Sequence, residues 1–221
     1  FQALSGGRLV LNIVTWGDAQ EQQRYGDWLD HDQRYARTDE FLTVVRGSWG
    51  VVPFDFEGAH VHVAGATAGL GSDPVPPIFF GGASPAALRV AARHADVHLS
   101  WGETADRLMP GLARMREVAR EHGRSIRFGV RLHVITRDRA KDAWAETERL
   151  LEAMPPALIA KAQREFARSQ SVAQQRMMAL HNGSTDDLVV GPNLWAGFGL
   201  VRGGAGTALV GSHEEVAERI A

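Results

Sequence analysis

Residues 77–85 read Pro-Ile-Phe-Phe-Gly-Gly-Ala-Ser-Pro and join the end of one strand to the start of a helix. The short apolar run Ile78–Phe80 is typical of a strand buried on both faces, and two glycines end it. Ser84 is a preferred N-cap and Pro85 suits the first helical position, so the pattern predicts a helix that runs to about His94. A strand followed directly by a helix is the repeating unit of a parallel α/β sheet.

The same alternation is predicted on both sides of this unit. Before it, residues 9–15 predict another strand buried on both faces, followed by a polar loop and a helix over about 35–48. Residues 51–63 predict a small hairpin. After it, residues 96–101 predict a strand and residues 104–122 a helix that ends at a glycine.

The C-terminal half continues the alternation less regularly. Residues 126–136 predict one long strand, and residues 139–180 are helical in pattern with a break at two prolines. Residues 182–206 are rich in Gly, Asn and Trp and show no period, whereas Thr207–Val210 is a short apolar run. Ser212 begins a capping box for a last helix. The whole order predicts a parallel α/β sheet, either a barrel or a doubly wound sheet. A (β/α)8 barrel needs eight strands and roughly 250 residues, so the four clear strands would be about half of one.

Composition excludes several classes of protein. The chain has 221 residues, 44% of them hydrophobic, a net charge of −2 and no cysteine. Disulfides, thiolate zinc sites and thiol nucleophiles are therefore excluded. The charge does not favour a nucleic-acid or membrane-surface binder, and no apolar run is long enough for a transmembrane helix. We expect a cytoplasmic protein.

Candidate chemical groups follow the strands, where active sites of parallel α/β folds gather. Gly82, Ala83 and Ser84 precede a helix N-terminus, so the turn is either a phosphate site or a plain tight turn with an N-cap. Trp101 ends a strand and is expected at a pocket wall.

Two arginines and a histidine are the other candidates. Arg131 and His133 are two residues apart on the predicted long strand, so they share a face. A buried Arg there would require an anion, and the alternative is an Arg paired at a sheet edge beside a core His. Arg202 precedes Gly-Gly-Ala-Gly, which predicts either a lid that closes on an anionic ligand or an ordinary surface loop. No metal site is predicted, because His94, Asp96 and His98 lack the spacing of helical ligands.

Longer stretches of the chain resemble the bacterial luciferase-like flavin monooxygenases. The resemblance begins in residues 7–15, 29–35 and 40–42. The later stretches are similar to the alkanesulfonate monooxygenases that depend on reduced FMN, and they comprise residues 100–103, 126–135, 192–197 and 202–211.

The resemblance implies a (β/α)8 TIM barrel in which residues 1–221 form one partial domain, with an insertion or lid at about 155–206. It also implies a two-component monooxygenase. A separate NAD(P)H-dependent flavin reductase supplies reduced FMN as a diffusible substrate, and O2 then converts an alkanesulfonate to an aldehyde and sulfite for sulfur scavenging. Members of the family are usually homo-oligomers.

Site residues are carried over from the family by motif. Arg131, His133 and Arg202 match residues linked to the sulfonate and flavin-peroxide site, and Trp101 matches a pocket tryptophan. The residues that match cofactor-binding positions are Asn12 and Thr15, which end the strand facing the flavin, and Tyr35, Gly82, Ala83 and Ser84 on the phosphate side.

Departures from the family pattern leave other interpretations open. Three βα units that precede a strand like that at Gly7, and a last strand and helix, are absent from this sequence. Residues 65–76 look shortened, and Trp16 stands where relatives have Gly. We therefore expect weak or no activity from this chain alone. The alternatives are a monooxygenase of sulfones or other small molecules, a deazaflavin-dependent dehydrogenase, and a non-catalytic truncated module.

Overall fold

The structure is a computed structural model that describes residues 1–15, 19–68 and 74–221. The chain forms two compact units, and each is described by itself. The first unit comprises Phe1–Leu99 and Leu112–Gly129, and the second comprises Ser100–Gly111 and Val130–Ala221. Whether residues 1–221 act as one domain stays a prediction.

The first unit contains strands and helices in the predicted alternation. In chain order these elements are β1 (Leu11–Ile13), α1 (Ala19–Arg24), α2 (His31–Ser48), β2 (Phe54–Glu57), β3 (His62–Ala66), β4 (Ile78–Gly81) and α3 (Pro85–His94). Three further elements fall across the division between the units, namely β5 (Val97–Trp101), α4 (Ala105–Glu121) and β6 (Arg127–Arg131). One sheet has the order β1-β4-β5-β6, and both β1 and β5 are parallel to β4. The parallel α/β architecture is confirmed, and β2 and β3 form the predicted hairpin.

Capping residues determine where the two long helices of this unit begin. Ser84 caps α3 and Pro85 is its first residue, as predicted. Helix α2 begins earlier than predicted because Asp30 and Gln33 form a capping box in a stretch interpreted as a polar loop.

A layer of helices covers one face of this sheet. Ile78 and Phe80 of β4 point into a core with Leu42 of α2 and Met115 of α4, and the alanines of α3 allow that helix to approach closely. Full burial of each of the larger side chains, Ile78, Phe80, Leu42 and Met115, contributes about 1.5–3 kcal/mol to the stability of the fold.

Strand β1 differs from its prediction, which was burial on both faces. Ile13 packs against the helix-covered core, but Asn12 between Leu11 and Ile13 is exposed, and the flanking Val10 and Val14 are 49% and 58% exposed. The reason is that successive side chains of a strand point to opposite faces, and only one face here meets the helical layer.

The second unit is built around a mixed sheet. Its remaining elements are β7 (His133–Arg137), α5 (Ala140–Glu152), α6 (Pro156–Phe166), α7 (Val172–Met178), β8 (Val189–Gly191), β9 (Leu194–Trp195), a 3₁₀ helix (Gly197–Leu200), β10 (Ala208–Ser212) and α8 (His213–Ile220). The strand order is β7-β10-β9-β8, in which only the β7–β10 pair is parallel. The predicted capping box at Ser212 is present.

The long strand predicted over 126–136 is broken at Leu132. Arg131 ends β6, and its carbonyl accepts from the Gly102 N–H at 2.8 Å, whereas the His133 N–H donates to the Thr207 carbonyl at 2.8 Å. The chain therefore passes from one sheet to the other at Leu132, and the prediction that Arg131 and His133 lie on one strand is wrong.

His98 of β5 generates the first testable expectation. Its ring is buried edge-on to Phe128, with centroids 6.3 Å apart, and its Nδ1 has no hydrogen-bond partner among the described residues. Burial disfavours the charged ring and lowers the pKa of His98 to about 4.

We expect the free energy of unfolding to fall as the pH drops from 6.5 to 4, because the unfolded chain binds a proton that folded His98 excludes. The His98 share of this loss is up to about 3 kcal/mol. Urea unfolding at pH 7 and pH 4 measures the change for wild type and His98→Leu, with exposed His62→Leu as control. An equal pH dependence in wild type and His98→Leu would contradict the assignment.

Candidate functional site

The turn after β4 brings the backbone close to neighbouring side chains. Gly82 has φ of 143°, and a Cβ there would lie 2.6 Å from the Ala87 Cβ and 3.1 Å from the Tyr35 hydroxyl. Ser84 is buried, and its Oγ accepts from the Ala87 N–H at 3.2 Å. The turn therefore requires glycine at residue 82 and places two hydroxyls at the N-terminus of α3.

Tyr35, which lies on α2, packs beside this turn. Its ring packs against His31 and Phe80, with centroids 4.9 and 6.3 Å away. Burial raises the pKa of Tyr35, and a hydrogen bond with Ser84 acts in the opposite direction. The phenol therefore stays protonated near neutral pH and can donate a hydrogen bond.

The other predicted cofactor residues lie nearby in the same unit. Ala83 is in the turn itself, and Asn12 pairs in register with Phe79 of β4. The Thr15 hydroxyl lies 3.4 Å from that of Thr38 on α2. The structure thus brings Tyr35, Gly82 and Ser84 together, but no described contact joins Asn12 or Thr15 to the turn.

A second cluster, in the second unit, surrounds His133. Its Nε2 lies 3.1 Å from the Ala205 carbonyl and is also contacted by Nη1 of Arg202. The ring packs on Phe198, with centroids 4.7 Å apart. The glycine segment, defined as Arg202–Gly206, therefore lies against the first residue of β7.

The His133 ring is neutral at physiological pH. Burial, followed by the positive charge of Arg202, lowers its pKa, and a smaller contribution from Arg131 acts in the same direction. Nε2 faces a donor on Arg202 and an acceptor on Ala205, so a neutral ring can satisfy only one of them at a time.

Trp101 adjoins the glycine segment, but Arg131 does not share a strand with His133. A Cβ on Gly204 would lie 3.9 Å from Cζ2 of Trp101, which is half-buried at the end of β5. Arg131 is exposed, so of the two alternatives given for it, the buried Arg that would require an anion is wrong. The strand breaks at Leu132, so the Arg131 carbonyl bonds Gly102 whereas the His133 N–H bonds Thr207.

The glycine segment is held by residues that no sequence motif indicates. Gln174 accepts from the Gly204 N–H at 2.9 Å, and the buried Thr207 donates to the Gly102 carbonyl at 2.8 Å. Gly206 approaches Gly199 so closely that a Cβ on Gly206 would lie 2.6 Å from the Gly199 Cα. Only the glycines were visible as a sequence signal, because their partners are distant in sequence.

The described residues contain no group of three or more His, Cys, Asp or Glu side chains able to hold a metal ion. Their helices include none that is long and apolar enough to cross a membrane. Trp16 and residues 69–73, part of the shortened loop, lie outside the described residues.

The chain belongs to the luciferase-like monooxygenase family, whose family model matches residues 1–221. Solved structures show the same (β/α)8 fold, so the predicted fold class is confirmed. A riboflavin lyase (RcaE) has a TM-score of 0.76 at 22% identity, and the match covers 98% of this chain and 56% of that one. A long-chain alkane monooxygenase (LadA) has a TM-score of 0.74 at 18% identity, and the match covers 98% of this chain and 55% of that one. DmoA from Hyphomicrobium sulfonivorans has a TM-score of 0.72 at 22% identity, and the match covers 98% of this chain and 54% of that one.

The chain thus spans little more than half the length of these structures. Other solved structures with this fold are described as complexes with FMN or as enzymes dependent on coenzyme F420. Because the sequence identities to these structures are low, the similarity is one of fold.

The close approach at Gly82 can be tested by a single methyl group. We expect Gly82→Ala to lower the free energy of unfolding by about 1–3 kcal/mol, because both its φ and its contact with Ala87 oppose a side chain. Gly81→Ala is the matched control, since its Cβ would lie an ordinary 3.6 Å from the Leu99 carbonyl. Chemical denaturation measures both variants, and equal effects would contradict the steric argument.

The charge of Arg202 should be visible in the titration of His133. We expect Arg202→Gln to raise the pKa of His133, which stays below its ordinary value because burial and Arg131 still act on it. NMR titration of the imidazole protons measures the change, with Arg164→Gln on an exposed position of α6 as control. An unchanged His133 pKa in Arg202→Gln would refute the contact.

Proposed function

We propose that this chain is part of a two-component monooxygenase that uses reduced FMN and O2 to convert an alkanesulfonate to an aldehyde and sulfite. Oxidised FMN, water and a proton are the other products: one oxygen atom enters the aldehyde and the other enters water, and reduced FMN and the alkanesulfonate each supply two electrons. The observation that carries the proposal is the contact of Arg202 with neutral His133, beside Trp101. The sequence resemblance at 100–103, 126–135 and 202–211 supports the same substrate class.

The charges in the second unit suit a sulfonate. Arg131 and Arg202 are both exposed, and neither forms an ion pair with a described residue. A sulfonate carries its negative charge at every physiological pH, and a guanidinium can donate two parallel hydrogen bonds to its oxygens. His133 in its neutral form adds a polar ring that does not repel the arginines and can donate or accept one hydrogen bond at Nε2.

The turn after β4 suits the phosphate of FMN. The Tyr35 and Ser84 hydroxyls and the N-terminus of α3 supply hydrogen-bond donors, and Gly82 leaves the backbone accessible where a Cβ would crowd Tyr35. Reduced FMN, when bound, supplies the electrons for oxygen activation, and a separate NAD(P)H-dependent reductase is the proposed partner.

Two measurements test this function. Anaerobic titration with reduced FMN, followed by tryptophan fluorescence, should show saturable binding that is tighter than that of oxidised FMN. Sulfite release is then measured with a flavin reductase, NADH and linear alkanesulfonates; we expect it from a protein that also carries the remaining βα units, and at most weakly from this chain alone. Oxidation of a sulfone without sulfite release would favour a related monooxygenase, and binding of neither flavin would favour a non-catalytic module.

Tyr35 offers a sharp test of the phosphate site. We expect Tyr35→Phe to weaken binding of reduced FMN by about 10- to 100-fold, because one hydrogen bond to a charged phosphate is lost. Tyr25→Phe is the matched control, since Tyr25 is 84% exposed. Equal binding by Tyr35→Phe and Tyr25→Phe would place the phosphate elsewhere.

A further inference from the structure

The glycine segment is held by a residue outside the proposed site. The Gly204 N–H donates to Oε1 of Gln174 at 2.9 Å, across 30 residues of sequence. Gly204 has φ of 93°, a conformation that favours glycine and that sets the direction of this N–H. The hydrogen bond therefore fixes the middle of the segment to α7.

The Gln174 side chain has one orientation available. It is buried, and its Nε2 has no hydrogen-bond partner among the described residues. Turning the amide over would set an N–H group against the Gly204 N–H. A Cβ on Gly203 would lie 3.6 Å from Oε1 of Gln174 and 3.3 Å from the Phe166 ring, so the segment packs directly against this side chain.

Helix α7 is itself anchored beside the strand that ends at Trp101. Arg176 bonds the Glu103 carboxylate through two nitrogens, at 3.0 and 3.2 Å, and donates to the Arg107 carbonyl at 2.7 Å. The Glu103 side chain is only 5% exposed, and a carboxylate that accepts two hydrogen bonds from one guanidinium has a defined geometry. Gln174 thus projects from a helix whose position is fixed.

The residues on both sides of Gly204 are those that meet His133. Arg202 precedes it by two positions and contacts Nε2, and Ala205 follows it and presents its carbonyl to the same nitrogen. We propose that Gln174 is a positioning residue, which holds the glycine segment so that Arg202 lies against the His133 ring. The inference rests on the proposed function only where it takes Arg202 to be a residue that binds the sulfonate.

Amide hydrogen exchange at Gly204 tests the hydrogen bond itself. We expect Gln174→Met, which keeps the shape and removes the acceptor, to accelerate Gly204 exchange at least about fivefold. Gln174→Glu retains an acceptor oxygen and should restore slow exchange. Gln175→Met is the matched control, because Gln175 is exposed on the same helix.

The Val210 N–H, which donates to the Asn193 carbonyl at 2.7 Å, reports on the stability of the sheet. Faster exchange at Gly204 with unchanged exchange at Val210 supports the proposal. Unchanged exchange at Gly204, or equal acceleration at both amides, overturns it.

A double-mutant comparison tests whether Gln174 acts through Arg202. In the wild-type background Gln174→Met should raise the pKa of His133, because Arg202 moves away from the ring. In the Arg202→Gln background the same substitution should shift that pKa less, because only the burial of the ring and the Ala205 contact remain to be changed. An equal shift in both backgrounds overturns the positioning role. Neither experiment needs flavin or sulfonate, so failure here is distinguishable from failure of the proposed function.

Discussion

The exchange of hydrogen-bonding partners on either side of Leu132 is the constraint on which the second unit depends. One peptide earlier, the Arg131 carbonyl is bonded to Gly102, and one peptide later, the His133 N–H is bonded to Thr207. A third hydrogen bond links the two partners, because the Thr207 hydroxyl donates to the Gly102 carbonyl. These three bonds bring the end of β5, the start of β7 and the end of the glycine segment to one place. The neighbouring candidate residues derive their positions from this arrangement rather than from a shared strand.

Under the proposed function, the two clusters would bind their anions by different physical means. The turn after β4 would use hydroxyl groups and a helix N-terminus, which are neutral groups with dipoles. The second unit would use the full positive charges of Arg131 and Arg202, which are both exposed. The first means suits a group that is held throughout a reaction. The second suits a ligand that must enter and leave, because exposed guanidinium groups are already solvated.

Local signals predicted much of the fold. The turn at 81–85 and the capping box at Ser212 were predicted correctly, because cap, proline and glycine act within a few residues. The same rule explains α2, whose Asp30 cap was present in the sequence but was interpreted as loop. Strands β8 and β9 were not predicted, since two or three residues cannot display a period.

Tertiary pairing decided the features that sequence could not indicate. The apolar pattern continues through Leu132, so nothing local marks the point where the chain leaves one sheet. Tyr35, Gly82 and Ser84 were named from the family resemblance and lie together, whereas Gln174 belongs to no motif. Its partner is 30 residues away, and only the folded chain shows the contact.

The close approach of Gly199 and Gly206 limits how the segment between them can vary. Their backbones are in contact, and the Gly199 N–H also donates to the Gly206 carbonyl at 3.0 Å. Residues 200–205 therefore form a loop closed at its base, in which an inserted residue would have to bulge outward. The loop should accordingly tolerate side-chain replacement at exposed Arg202 better than a change in its length.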